Sequence, residues 1–220
     1  MKHLKMLGLV AVAAVALTAA GAGGTASATV LCKTTLTTGC AAAGWDYAKG
    51  TAVHIALEVG QHATLNAFWT DVTCRKTTIE LKLANTGGAS ETVIGNIESL
   101  TPEECSCAGG PVGTAHATTI STGSGEIHYI SGTHDGTLTG SGTVITLNCT
   151  NLGTQCRFGT GSGIHIGTLT SGDPATADGV ATLVSSSGTG DEGIFICGSS
   201  ATWEAKYEVT APKPLYIAAS

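Results

Sequence analysis

The final stretch of the chain, ICGSSATWEAKYEVTAPKPLYI from Ile196 to Ile217, sets Trp203, Ala205, Tyr207 and Val209 against Glu204, Lys206 and Glu208. Successive side chains on a strand point to opposite faces, so this alternation describes one apolar and one charged face. Cys197 enters the strand, and Pro212 and Pro214 end it. Trp203 and Tyr207 then fall on its buried face. The same period of two returns at Val53, Ile55 and Leu57, at Ala63, Leu65, Ala67 and Trp69, and at Ile79, Leu81 and Leu83. Gly60 divides the first two runs and predicts a hairpin over 51–69. Further strands are expected at 91–100, 116–121, 126–131, 137–148, 163–170, 180–185 and 193–197, separated by Gly- and Ser-rich turns. Residues 102–111 read as a loop, with a helical turn possible from Pro102 to Cys105, since Thr101-Pro102-Glu103-Glu104 resembles a helix start. The expectation is an all-β fold: an antiparallel β-sandwich, or a partly open barrel, of roughly ten to twelve short strands.

The first 28 residues stand apart. Lys2 and Lys5 precede an apolar run from Leu7 to Ala20, too short to span a bilayer comfortably, and Ala26-Ser27-Ala28 has the small-residue form of a cleavage site. Residues 1–28 therefore read as a secretory signal peptide, and 29–220 as a single secreted all-β domain. No second long apolar run predicts a membrane span. The formal net charge of −6 becomes more acidic once Lys2 and Lys5 are removed, which argues against nucleic acid as a partner.

All eight cysteines follow the leader. An even number in an exported chain reads as a disulfide framework. A zinc site would call for paired CxxC or Cys/His clusters, and Cys105-Ser106-Cys107 is neither. With aromatics at 5%, the core must be built mainly from Val, Ile, Leu and Ala, and cross-links compensate for its shallowness.

Two segments echo each other: Ser131-Gly-x-His134-x-Gly136-Thr-Leu-Thr139 and Ser162-Gly-x-His165-x-Gly167-Thr-Leu-Thr170. HYISGTHDGTLTG, QCRFGTGSGIHIGTLTSG and the closing ICGSSATWEAKYEVTAPKPLYI, with the opening Leu31-Cys32-Lys33 and the stretch from Tyr47 to Thr51, resemble a family of small secreted, disulfide-containing β-proteins of actinobacteria. The resemblance runs from the leader to the C-terminus. It implies export and a cross-linked β fold, and it brings no catalytic residue to carry over. Gly198 departs from the proline that often follows the cysteine at this place, and Cys107 and Cys149 form an extra pair relative to the usual pattern. Eight cysteines allow on the order of a hundred connectivities. The pairing expected is Cys32–Cys40, Cys74–Cys105, Cys107–Cys149 and Cys156–Cys197, with a local Cys149–Cys156 bridge as its rival.

Sites of chemistry are sparse. His128, His134 and His165 would make a metal site if the sheet brought them together, since imidazole suits zinc and copper. The plainer reading places His54, His128 and His165 on the solvent face, opposite their apolar neighbours. No GxSxG is present, and neighbours His134 and Asp135 point apart on a strand. Glu98, Glu103, Glu104, Glu126 and Glu192 could supply a glycosidase pair, yet the three tryptophans do not cluster in sequence. Gly159–Gly163 lacks the Lys-Ser/Thr ending of a phosphate loop. Asp173 to Asp178 and Gly190 to Gly193 do not follow calcium-loop spacing. No catalytic residue and no cofactor are expected. The leading expectation is a secreted, non-enzymatic structural or binding module at the cell surface or outside it, with an envelope or extracellular ligand. One alternative is a secreted hydrolase or metal-dependent enzyme. Another is a carbohydrate or small-molecule binder using Trp45, Tyr47, Trp69 or Trp203 as a platform.

Overall fold

The computed structural model describes residues 28–35, 40, 44–67, 70–173, 175–184 and 200–220. Residues 1–27 of the expected signal peptide 1–28, together with Trp69, Glu192, the 190–193 loop and Cys197, lie outside them. The regular elements are all strands: β1 (Thr29–Cys32), β2 (Ala52–Leu57), β3 (Ala63–Ala67), β4 (Asp71–Leu83), β5 (Gly87–Gly88), β6 (Val93–Cys107), β7 (Ala115–Ser121), β8 (Ser124–Tyr129), β9 (Gly136–Ser141), β10 (Val144–Cys149), β11 (Thr154–Gly159), β12 (Ile164–Thr170), β13 (Thr176–Val184), β14 (Ser200–Ala211) and β15 (Tyr216–Ala219). Twelve belong to one antiparallel sheet, and β15, β1 and β5 form a second.

The registers join several of the twelve into longer staves. β2 and β3 both lie between β4 and β14 and run in the same direction: Ile55 faces Ile79, and farther along Leu65 faces Val72. The segment 51–69 is therefore not a hairpin. Its strands are one stave interrupted at 58–62, because both flanks find the same two partners. The same kind of break separates β7 from β8, β9 from β10 and β11 from β12. Ser124 faces Ser141 where β8 meets β9, and the ladder resumes with Ser121 facing Val144 where β7 meets β10. Gly159 pairs with Val144, and beyond the break Ile164 pairs with Gly140.

Counted as staves, the sheet is β2–β3, β4, β6, β7–β8, β9–β10, β11–β12, β13 and β14. These eight follow one another in sequence order, and β14 closes on β2–β3. β6 reaches β8 by ladder pairs and β7 by other contacts: Thr119 Oγ1 donates to the Leu100 carbonyl at 2.5 Å, and the Gly113 N–H donates to the Cys105 carbonyl at 2.8 Å. The layout is an up-and-down antiparallel barrel. The echoed segments supply β9 and β12, which lie side by side in it.

Residues 102–107 differ from the loop and helical turn expected. They complete β6, with Pro102 facing Thr77 and Cys105 facing Cys74. The long ladder with β4 overrides a local helix start of one turn, whose nucleation is unfavourable on its own. Glu104 takes a φ of 53°, and the buried positions change parity there, from Pro102 to Cys105 and Cys107.

Inside and outside follow the alternation. On β14, Ala201, Tyr207 and Val209 are buried and Glu204 is exposed. Lys206 pairs with Glu58 at 3.0 Å, and Lys213 with Glu208 at 2.5 Å. Charges outside and aliphatics inside are the reverse of a membrane-spanning barrel. No helix among the described residues is long and apolar enough to cross a membrane.

Two apolar clusters fill the ends. One gathers Leu65, Val72, Leu147 and Phe158 with Cys74, Cys105, Cys107, Cys149 and Cys156. The other joins Val53, Leu83, Val93 and Val209 to Leu31 and Ile217, which the small sheet brings over that end of the barrel. Gly87 permits this approach. Its φ is +74°, and a Cβ there would lie 1.8 Å from the Thr29 carbonyl oxygen. Disulfides join Cys32 to Cys40, Cys74 to Cys105 and Cys107 to Cys149. Cys156 is also disulfide-bonded.

Candidate functional site: the barrel interior

Between the two clusters lies a cavity of about 190 Å³. Among the described residues, seven of the eight staves contribute to its wall. Ile55, Ile79, Leu81, Ile97, Leu100, Leu138, Ile145, Phe158 and Ile166 supply the apolar surface, with Gly125, Thr143, Thr160, Trp203 and Tyr207 completing it. The sequence underfills this space for a simple reason. Most inward positions here carry Ile, Leu or Thr, with rings only at Phe158, Trp203 and Tyr207 among the described residues, and Gly125 projects no side chain at all. A Cβ built on Gly125 would meet only the Thr139 carbonyl oxygen, at 3.9 Å.

Most polar groups on the wall are already engaged. The Thr143 N–H donates to Thr160 Oγ1 at 3.1 Å, and Thr143 Oγ1 donates to the Thr122 carbonyl at 2.6 Å. These threonines bridge the breaks at the barrel waist. The Trp203 Nε1–H donates to the Tyr207 hydroxyl at 3.0 Å. Burial pushes the Tyr207 phenol above the ordinary tyrosine range, with Trp203 and then Thr77 pulling weakly the other way. The phenol therefore stays neutral. Thr77 is fully buried, and its hydroxyl lies within hydrogen-bonding reach of the Tyr207 phenol, off the ideal geometry.

Among the described residues, Tyr207 is the one titratable group in this wall, which holds neither a carboxylate pair nor an imidazole beside a nucleophile. What it offers is an apolar hollow in the barrel interior.

The candidates named from sequence sit elsewhere. His128 faces Thr137 and His165 faces Thr139 on β9, so the two histidines lie two staves apart and two residues out of step, roughly 12 Å. His134 lies in the turn between β8 and β9, where its carbonyl accepts from Ser171 Oγ. Among the described residues, no three His, Cys, Asp or Glu side chains are grouped to hold a metal ion. Glu98, Glu103 and Glu104 are exposed, Glu103 pairing with Lys76 at 2.8 Å, and Glu126 accepts from Thr92 Oγ1. Gly159–Gly163 forms the break between β11 and β12, where the Gly142 N–H donates to the Gly161 carbonyl at 2.8 Å.

Of the proposed aromatic platform, Trp45 is 49% exposed and stands on the surface. Tyr47 is buried and donates to the Pro214 carbonyl at 2.6 Å, and the Lys33 ammonium sits 5.4 Å from its ring centre. Trp203 turns inward and lines the cavity. Sequence reasoning placed Trp203 and Tyr207 on the buried face but missed the walls from Ile97, Leu100, Ile145 and Phe158 as parts of a site. The available signals were the low aromatic content and a glycine at an inward strand position. Comparison with known proteins finds no matching family model, no matching curated protein and no matching solved structure.

Proposed function

We propose that this chain is an exported binding barrel that encloses one compact, predominantly apolar small molecule and performs no chemistry on it. The observation that carries the reading is the cavity of about 190 Å³ in the barrel interior, whose wall, drawn from seven of the eight staves among the described residues, is mostly aliphatic. Barrels of about eight strands are the size at which the interior either fills with side chains or holds one small ligand. An apolar protein cavity of about 150 Å³ accommodates benzene, so this one suits a single ring or a short branched chain.

Export is supported by the leader-like residues 1–28, by disulfides, which persist in oxidising compartments, and by the start of β1 at Thr29, next to the expected cleavage point. Membership of the actinobacterial secreted family rests on the segments quoted above, and it agrees with a disulfide-bearing β fold.

Thermal unfolding with and without benzene tests the reading. At about ten times its Kd, benzene should raise Tm of the natural protein by roughly 3 °C. Gly125→Val fills the cavity and should show no such shift. A natural protein indifferent to benzene would favour a purely structural module.

A further inference from the structure

The few polar side chains on the cavity wall satisfy one another, which sets what the cavity can accept; the inference drawn from this rests on the binding role proposed above. Thr143 and Thr160 meet across the break at the barrel waist. The Thr143 N–H donates to Thr160 Oγ1 at 3.1 Å, and the Thr160 N–H donates to the Thr143 carbonyl at 2.9 Å. Thr143 Oγ1 in turn donates to the Thr122 carbonyl at 2.6 Å. On β14 the Trp203 Nε1–H donates to the Tyr207 hydroxyl at 3.0 Å, and Thr77, which is not part of the wall, brings its own hydroxyl within hydrogen-bonding reach of the same oxygen. Gly125 adds only backbone, held in the ladders opposite Gly95 and Gly140. Every remaining wall side chain among the described residues is Ile, Leu or Phe.

We infer that the ligand is an unoxygenated, ring-sized hydrocarbon, and that the pairing of Thr143 with Thr160 and of Trp203 with Tyr207 makes the chamber reject the hydroxylated form of the same molecule. A hydroxyl carried inside loses its bonds to water and finds the wall's polar atoms already engaged. That loss is large where nothing replaces the water and small where a site supplies a partner. A charged group would lose more still. Tyr207 determines specificity by occupying the indole donor of Trp203. Without the Tyr207 oxygen, that N–H is left with no acceptor, beside a space the size of one hydroxyl.

The test compares toluene with phenol, which share a ring and differ by a methyl group against a hydroxyl of similar size. Calorimetric titration of each into the full protein gives a ratio of affinities. Toluene should bind the natural protein about a hundredfold more tightly than phenol. Tyr207→Phe should shrink that ratio about tenfold, the scale of one neutral hydrogen bond, by giving the ligand's oxygen a donor, and should leave toluene binding nearly unchanged. Thr160→Val strips the acceptor from the Thr143 N–H, should shrink the ratio in the same direction, and stands in if Tyr207→Phe does not fold. Phenol binding within about tenfold of toluene in the natural protein would show that the wall supplies a partner. That result would overturn the inference and leave the apolar-binding role intact. A ratio unchanged by the folded variants would overturn the part assigned to these pairs. Failure of both compounds to bind the natural protein would overturn the binding role itself.

Discussion

The indole N–H of Trp203 donates to the hydroxyl of Tyr207 at 3.0 Å, across the four-residue step that returns an inward row of β14 to the same face. The alternation that makes this strand half-buried thus also places both rings on the cavity wall. Trp203 is only partly buried and packs against the cluster at one end, while Tyr207 is 8% exposed. Trp203→Ala removes a large ring, leaves Tyr207 without its donor and enlarges the chamber. It should cost about 3 kcal/mol in urea unfolding, the low end for a buried ring because this one is not fully enclosed. A change below about 0.5 kcal/mol, the range of surface substitutions, would place the indole outside the packed interior.

Gly125 makes the opposite test. Its Cβ direction is open except for the Thr139 carbonyl oxygen at 3.9 Å, and the residue sits in β8 without a positive φ. Gly125→Val adds apolar volume to the chamber and favours strand geometry. It should stabilise the ligand-free protein by about 1 kcal/mol in denaturant unfolding. A loss of stability would mean that the chamber has no room for two methyl groups.

Much of this barrel can be read along the chain, and its closure cannot. The inward row Ala201, Trp203, Ala205, Tyr207 and Val209 follows from alternation alone, as does the outward placement of His54, His128 and His165. The break at Gly60 is read as a reversal because a turn glycine between two alternating runs has two outcomes, a hairpin or a bulge. The choice is made by β4, which pairs with both runs, and by β14, which lies far away in sequence. Pro102 to Cys105 fails similarly: a local helix start loses to a ladder that Cys74 and Cys105 share. The cavity is least legible, since it is a difference between the volume that eight staves enclose and the volume their side chains fill.

Alkaline pH should unfold the protein through its buried phenols. Tyr207 and Tyr47 both have their pKa raised by burial above the ordinary value of 10.0. Below pH 10 both are protonated in the folded and unfolded chains alike, so their stabilisation is fully present. As pH rises past 10, the unfolded chain releases these protons and the folded chain holds them, so stability falls. Tyr207 alone contributes a slope of up to about 1.4 kcal/mol per pH unit. Tyr207→Phe should flatten the decline measured by urea unfolding between pH 10 and 11. An unchanged slope would mean that the phenol is solvated.

The Cys107–Cys149 bridge ties the end of β6 to the end of β10 over a sequence separation of 42. Replacing both cysteines by serine should cost about 3–4 kcal/mol by relaxing the unfolded chain's constraint. Non-reducing peptide mapping should recover Cys107 with Cys149 and Cys156 with Cys197. A Cys149–Cys156 peptide would contradict this arrangement.

The Trp203 indole N–H reports on the chamber from its own wall, and a proton–nitrogen correlation spectrum sees it directly. Titrating the natural protein with benzene should move the Trp203 indole resonance saturably and leave that of exposed Trp45 in place. Gly125→Val should abolish the movement. If the Trp203 resonance stays fixed while the protein remains folded, the barrel interior takes no ligand, and the binding role proposed for it is wrong.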